Sequence, residues 1–190
     1  IANDLAFLQK RGGTCSMSGG TVTTDNLLSL FDGKPTYCSY TISSVNAEVT
    51  ITIDLSNISG YDHRYGETFY IDFGNTTWAA KNITAKFYYQ NAEISGSSRS
   101  VTDNPNSFWI AEKVDVPDGQ RIEKIVITLS GFGRTNPRIA EIGLVKYNSD
   151  GVGAAYMSRG ADDLVYRSIR PYNSTDYTLG DADHKWNDLY

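Results

Sequence analysis

The sequence is poor in the residues that build reactive centres. Of its 190 residues only two are Cys, two are His and two are Met. Two cysteines cannot by themselves make a four-ligand zinc site, and His63 and His184 lie in unrelated segments. Cys15 and Cys38 are not spaced as CxxC, which argues against a redox motif. They either close a single disulfide loop of modest length or remain two buried thiols, and the sequence leaves both open. No apolar run approaches the ~20 residues of a membrane-spanning helix, which excludes membrane insertion by that route. Positive charge is also in deficit: 17 Lys+Arg stand against 22 Asp+Glu, for a net charge of −5. A nucleic-acid partner would need a basic face, so that class is set aside. Nor does the chain contain GxSxG, HExxH, GxxxxGK[ST] or GxGxxG. Its carboxylates sit mostly in turns and on the polar faces of strands, and the expectation is a protein without catalytic chemistry. Four Asn-x-Ser/Thr triplets, at Asn57, Asn75, Asn82 and Asn173, are what a Ser/Thr/Asn-rich chain yields by chance.

What is present points to a globular β protein. Hydrophobic residues make up 40% and charged residues 21%, a globular rather than disordered balance. The length exceeds one domain at about 150 residues per domain, leaving a remainder to explain. Aromatics are skewed, with 13 Tyr against seven Phe and three Trp. Tyrosine, an apolar ring with a polar tip, suits half-buried strands and wet interfaces. The first residues, Ile-Ala-Asn-Asp without an initiator Met, read as a processed piece of a longer chain.

Residues 3–11 read as a short helix, with Leu5, Leu8 and Phe7 on one side, Asn3 or Asp4 as cap and Gly12-Gly13 as stop. Residues 25–31 read as a short turn or helix running into the Asp32-Gly33 turn. The centre is β. Val49, Ile51, Ile53 and Leu55 alternate strictly with polar residues; Phe69, Ile71 and Phe73 do the same, as do Ile83, Ala85, Phe87 and Tyr89. Tyr88 falls on the opposite face. Runs at 107–116 and 121–129 follow, joined by the turn Pro117-Asp118-Gly119-Gln120, and 138–146 closes the series. Six to eight strands at this spacing predict an all-β antiparallel sandwich or jelly roll. After Asn148-Ser149-Asp150-Gly151 the texture changes to short segments rich in Tyr, Asp and Arg. The predicted organisation is a stem end at 1–13, a jelly roll at 14–148 and an irregular C-terminal segment at 149–190.

Two stretches resemble known families. Leu30-Phe31-Asp32-Gly33-Lys34-Pro35-Thr36, Ile51-Thr52-Ile53-Asp54-Leu55 and Ile139-Ala140-Glu141-Ile142 resemble the galactose-binding-like jelly roll. This is the discoidin, or coagulation factor 5/8 type C, family, which includes many carbohydrate-binding modules. Ser56 stands where the family has Gly after Asp-Leu, and the tryptophans common in its early strands are missing. The resemblance implies a structural calcium held by Asp32, Thr36 and Glu141, with backbone carbonyls near Ser29 and Lys34. Calcium takes 6–8 oxygens and accepts carbonyls among them, so the donor set is sensible.

At the other end, Ile169-Arg170-Pro171, Leu179-Gly180 and Lys185-Trp186-Asn187-Asp188-Leu189-Tyr190 resemble the distal element of phage tail fibres. The opening Asp4–Gly13 stretch is similar to the end of a fibre stem. The resemblance implies a homotrimer in a virion, contacting other tail proteins, often with a C-terminal chaperone cleaved off. Tyr166, Tyr172, Tyr177, Trp186 and Tyr190 would then form the trimer interface, where amphipathic rings are enriched.

A sandwich binds ligands on loop ends or an aromatic-lined face, and sugars need a flat ring plus planar polar groups. Three loops qualify. One carries Asn75 and Trp78, where the related modules place sugar contacts. Another carries Phe132, Arg134 and Asn136, and the third carries Tyr61, His63, Arg64 and Tyr65. Trp109 reads as core or subunit interface. The function expected is attachment of a phage tail-fibre tip to a host surface glycan without cleavage. The alternatives are a structural spacer of the fibre, or a carbohydrate-binding module of a secreted bacterial glycosidase.

Overall fold

The computed structural model describes residues 5, 8–24, 27–31, 36–58 and 67–146. Within them the chain forms twelve strands, all paired antiparallel. They are β1 (Thr14–Ser18), β2 (Thr21–Thr24), β3 (Cys38–Thr41), β4 (Val49–Asp54), β5 (Glu67–Asp72), β6 (Ala80–Tyr89), β7 (Ala92–Glu93), β8 (Arg99–Val101), β9 (Phe108–Val114), β10 (Lys124–Phe132), β11 (Arg138–Ile139) and β12 (Glu141–Lys146). One layer is a sheet ordered β1-β4-β10-β6, with β7 and β8 both paired to the outer edge of β6. Facing it are two three-stranded sheets, β11-β3-β2 and β12-β5-β9. These two meet where the predicted 138–146 strand bends at Ala140, whose amide donates to the Asp72 carbonyl (2.8 Å).

Alternation explains the layers. In β4, Val49, Ile51 and Ile53 are fully buried while Thr50, Thr52 and Asp54 face out, because successive side chains point to opposite faces. Ile51 sits in register between Met17 of β1 and Ile127 of β10, and Ile127 in turn lies opposite Ala85 of β6. The facing layer contributes Phe69, Ile71, Trp109, Ile142 and Leu144 to the same cluster. Ring contacts cross the gap: Phe69 meets Phe87 edge-on at 5.6 Å, and Tyr40 meets Phe132 at 6.2 Å. Trp109 is a core residue, packed edge-on to Phe69.

Three details refine the sequence reading. The N-terminal helix reduces, in its described part, to a 3₁₀ turn at Leu8–Arg11, stopped by left-handed Gly12. Residues 27–31 form a second 3₁₀ turn, burying Leu30 and Phe31. Ser56, standing where the family pattern has Gly, donates both its amide (2.9 Å) and its hydroxyl (2.6 Å) to Asp54 Oδ1, tying off the end of β4. Cys15 and Cys38 are both thiols in this structure. Burial, then the neighbouring Cys38, pushes the Cys15 thiol up to about 12.

Candidate functional site

One end of the sandwich gathers the loops that leave β5, enter β9, leave β10 and leave β3. The β5–β6 loop is built on its own polar side chains. Asp72 Oδ1 accepts the Gly74 amide (2.7 Å), and Asn75 Oδ1 accepts both the amide (2.9 Å) and the hydroxyl (3.0 Å) of Thr77. The Trp78 and Ala79 amides then close turns onto the Asn75 and Thr76 carbonyls. Such Asx-type turns hold a loop without burying it. They leave the exposed Asn75 with only its amide N–H groups to offer a ligand, and they present a half-buried Trp78.

Trp78 is flanked on two sides. The Tyr37 ring meets it edge-on at 5.1 Å, and the Arg138 guanidinium carbon lies 4.9 Å from its ring centroid. Both are cases of an aromatic quadrupole ordering its neighbours. Gly74, at φ 71°, makes room: a methyl there would lie 2.6 Å from the Tyr37 ring.

The loop after β10 runs beside this cluster. Gly133 abuts the Thr77 carbonyl, where a methyl would sit 3.1 Å from the oxygen. The loop is tied to β3 and the segment after it by three bonds: Phe132 N–H to Val45 O (2.9 Å), Ile42 N–H to Thr135 O (3.0 Å) and Tyr40 N–H to Pro137 O (3.2 Å). Between these ties Arg134, Thr135 and Asn136 are exposed. A third loop, 102–107, joins the same end through Asn104 N–H to Lys81 O (2.8 Å) and Phe73 N–H to Ser107 O (2.8 Å). An open depression of about 480 Å³ is lined by Gly19, Gly20, Thr21, Thr41, Ile42 and Ser43.

Two of the three loops picked from the sequence are thus neighbours. Phe132 is corrected: it is 5% exposed and packs on Tyr40, so it is core and not a ligand platform. The reason is a break in alternation that both strands share without a shift of register. Gly131 takes a left-handed φ of 72°, Ser130 and Gly131 are both only half-buried while Lys81 and Asn82 on β6 are both exposed, and Phe132 turns inward opposite Ala80. Tyr61, His63, Arg64 and Tyr65 lie outside the described residues. So do Asp32 and Lys34 of the calcium set, and Tyr166, Tyr172, Tyr177, Trp186 and Tyr190 of the predicted interface. Of the remaining calcium donors, the turn carrying Ser29 packs on β12, which begins at Glu141, and Thr36 is half-buried. The Glu141 carboxylate accepts a hydrogen bond from the Tyr70 phenol, which burial and then Glu141 push above its ordinary range. Among the described residues no group of three or more His, Cys, Asp or Glu converges as a metal site.

Sequence reasoning missed Tyr37 and Arg138 as site residues. Arg138 is the first residue of a predicted strand, and Tyr37 has no periodic neighbour; only the pairing of Arg138 with Ser39, next but one to Tyr37, puts them together.

No family model and no curated protein sequence matches the chain. Solved structures do. The family 32 CBM from C. perfringens NanJ in complex with galactose superposes with a TM-score of 0.51 at 16% identity, over 73% of this chain and 96% of that one. The lectin binding domain of Lectinolysin complexed with Lewis b gives 0.52 at 12% identity, over 78% and 99%. The Ruminococcus gnavus GH29 fucosidase in complex with fucose gives 0.53 at 16% identity, over 78% of this chain but only 27% of the enzyme. The antiparallel sandwich read from the alternating strands is therefore a jelly roll, similar in fold to the family 32 module of NanJ.

Proposed function

We propose that this chain is a non-catalytic glycan-binding module whose site is the loop end around Trp78. The observation that carries the reading is the Trp78–Tyr37–Arg138 cluster, set beside the exposed Asn75, Arg134 and Asn136. A ring for the C–H face of a sugar and planar amide and guanidinium groups for its hydroxyls are what a saccharide site requires. Domains of this fold from NanJ and Lectinolysin have been seen with galactose and Lewis b bound, and the fold makes up a fraction of a fucosidase, which supports a binding unit carried within a larger secreted protein. Glycan-array screening followed by calorimetry tests it: Trp78→Ala should abolish binding while the protein still melts cooperatively, a few degrees lower at most. Binding that survives this change places the site elsewhere.

A homotrimeric tail-fibre tip is the second reading, carried by the Ile169-Arg170-Pro171 to Tyr190 pattern. Three weak sites would then act together through avidity. Molar mass in solution separates the two, since the appended module is expected as a monomer. A structural calcium belongs to either reading. Ser29, Thr36 and Glu141 supply only oxygen donors, which suits a hard cation, and Asp32 and the Lys34 carbonyl would complete the set.

A further inference from the structure

We infer that the glycan recognised at the Trp78 end is acidic, carrying a carboxylate or sulfate that Arg138 and Arg134 receive; this rests on the site proposed above. The chain as a whole is acidic, with a net charge of −5, yet its loop end is not. Arg138 stands over Trp78, and Arg134 is exposed on the loop that Gly133 presses against Thr77. Neither pairs with a carboxylate among the described residues, whereas Lys86 pairs with Glu93 and Arg121 with Glu123 on the main sheet and the segment leading into β10. Of the acids at this end, Asp72 is turned to the Gly74 amide, Glu141 accepts from the Tyr70 phenol, and Asp103 sits on the 102–107 loop.

A guanidinium held over an indole keeps its in-plane N–H groups available, and that fork matches a carboxylate or sulfate two oxygens at a time. A neutral sugar offers no such group, so it would leave two cations to water and collect only stacking and hydroxyl contacts. A charge-assisted pair in a half-buried site amounts to about 10- to 100-fold in affinity. The net negative charge elsewhere is screened beyond about 10 Å at ordinary salt and does not cancel a contact pair.

The test compares galacturonic acid oligomers and sulfated galactose oligomers with neutral galactose oligomers, by calorimetry, on the full chain. At least about tenfold tighter binding of one acidic form, weakened several-fold between 50 and 300 mM NaCl, supports the inference. Arg138→Gln with Arg134→Gln should erase the acidic preference and its salt dependence, the acidic oligomers losing at least about tenfold more affinity than the neutral ones. Arg138→Lys, keeping charge but not the fork, should restore only part of it. Equal affinity for acidic and neutral oligomers, unmoved by the arginine changes but lost in Trp78→Ala, overturns the acidic inference and keeps the glycan site. Binding of none of these, or binding indifferent to Trp78→Ala, overturns both.

Discussion

Gly131→Ala probes the joint between the fold and the site. Gly131 holds φ 72°, where an L side chain costs about 1–2 kcal/mol. A methyl at this position would also lie 3.1 Å from Asn82 Nδ2 and 3.2 Å from Lys81 Cβ. Asn82 can swing away, giving up its 3.4 Å bond to Ser130 Oγ, but Lys81 Cβ moves only with its backbone. Crowding therefore adds on the order of 1 kcal/mol, for a total near 2–3 kcal/mol. In a chain of this size that is a fall in melting temperature of about 4–12 °C. Gly96→Ala is the internal control, because Gly96 has nearly the same φ of 74° with no atom within 4 Å of a methyl. Calorimetric melting of both variants isolates the crowding as their difference. Because the left-handed turn at Gly131 aims Phe132 into the core, Gly131→Ala should also alter the near-ultraviolet circular dichroism, while Gly96→Ala should not. If the two variants melt together, the close approach of β10 to Lys81 is not what demands glycine, and the account of Phe132 fails with it.

Ile127→Ala, at a fully buried position between β4 and β6, should cost about 3 kcal/mol by urea titration; a loss under 1 kcal/mol would mean the sheet's centre is not close-packed. The Cys15 thiol, pushed up to about 12 from an ordinary 9.0, is neutral in the fold, so its contribution to stability is complete below about pH 9 and is lost as pH rises toward 12. Cys15→Ser should flatten the fall in unfolding free energy over that interval, and an unchanged slope would refute the assignment. Both thiols should resist an aromatic disulfide reagent at pH 8 in the native protein and titrate as two on denaturation; zero on denaturation would mean a disulfide. Metal analysis with melting before and after a chelator tests the calcium proposal, which falls if no calcium is found and the melt does not move.

The main sheet was readable residue by residue. Burial follows alternation wherever a strand has one wet face, so Val49–Leu55 and Ile83–Phe87 announce both their conformation and their inward side. The strands at 14–18, 21–24 and 38–41 gave no such signal: they are short, rich in Ser and Thr, and pair only because neighbours present open edges. Phe132 shows the limit more sharply, since alternation carried through Gly131 puts it outside and a single left-handed glycine puts it in.

The loops divide in the same way. Trp78 and Arg134 could be picked out by composition, since rings and planar cations in polar loops are chemically conspicuous. That they share one end of the sandwich, and that Tyr37 and Arg138 complete the cluster, depends on contacts between segments 40 to 100 residues apart in the chain. Local chemistry, written in spacing and residue type, determined that this is an antiparallel sandwich whose loops carry rings and planar polar groups. Only the tertiary structure decided which loops meet and which aromatic is core, because backbone pairing across the sheets joins residues with no local relation in sequence.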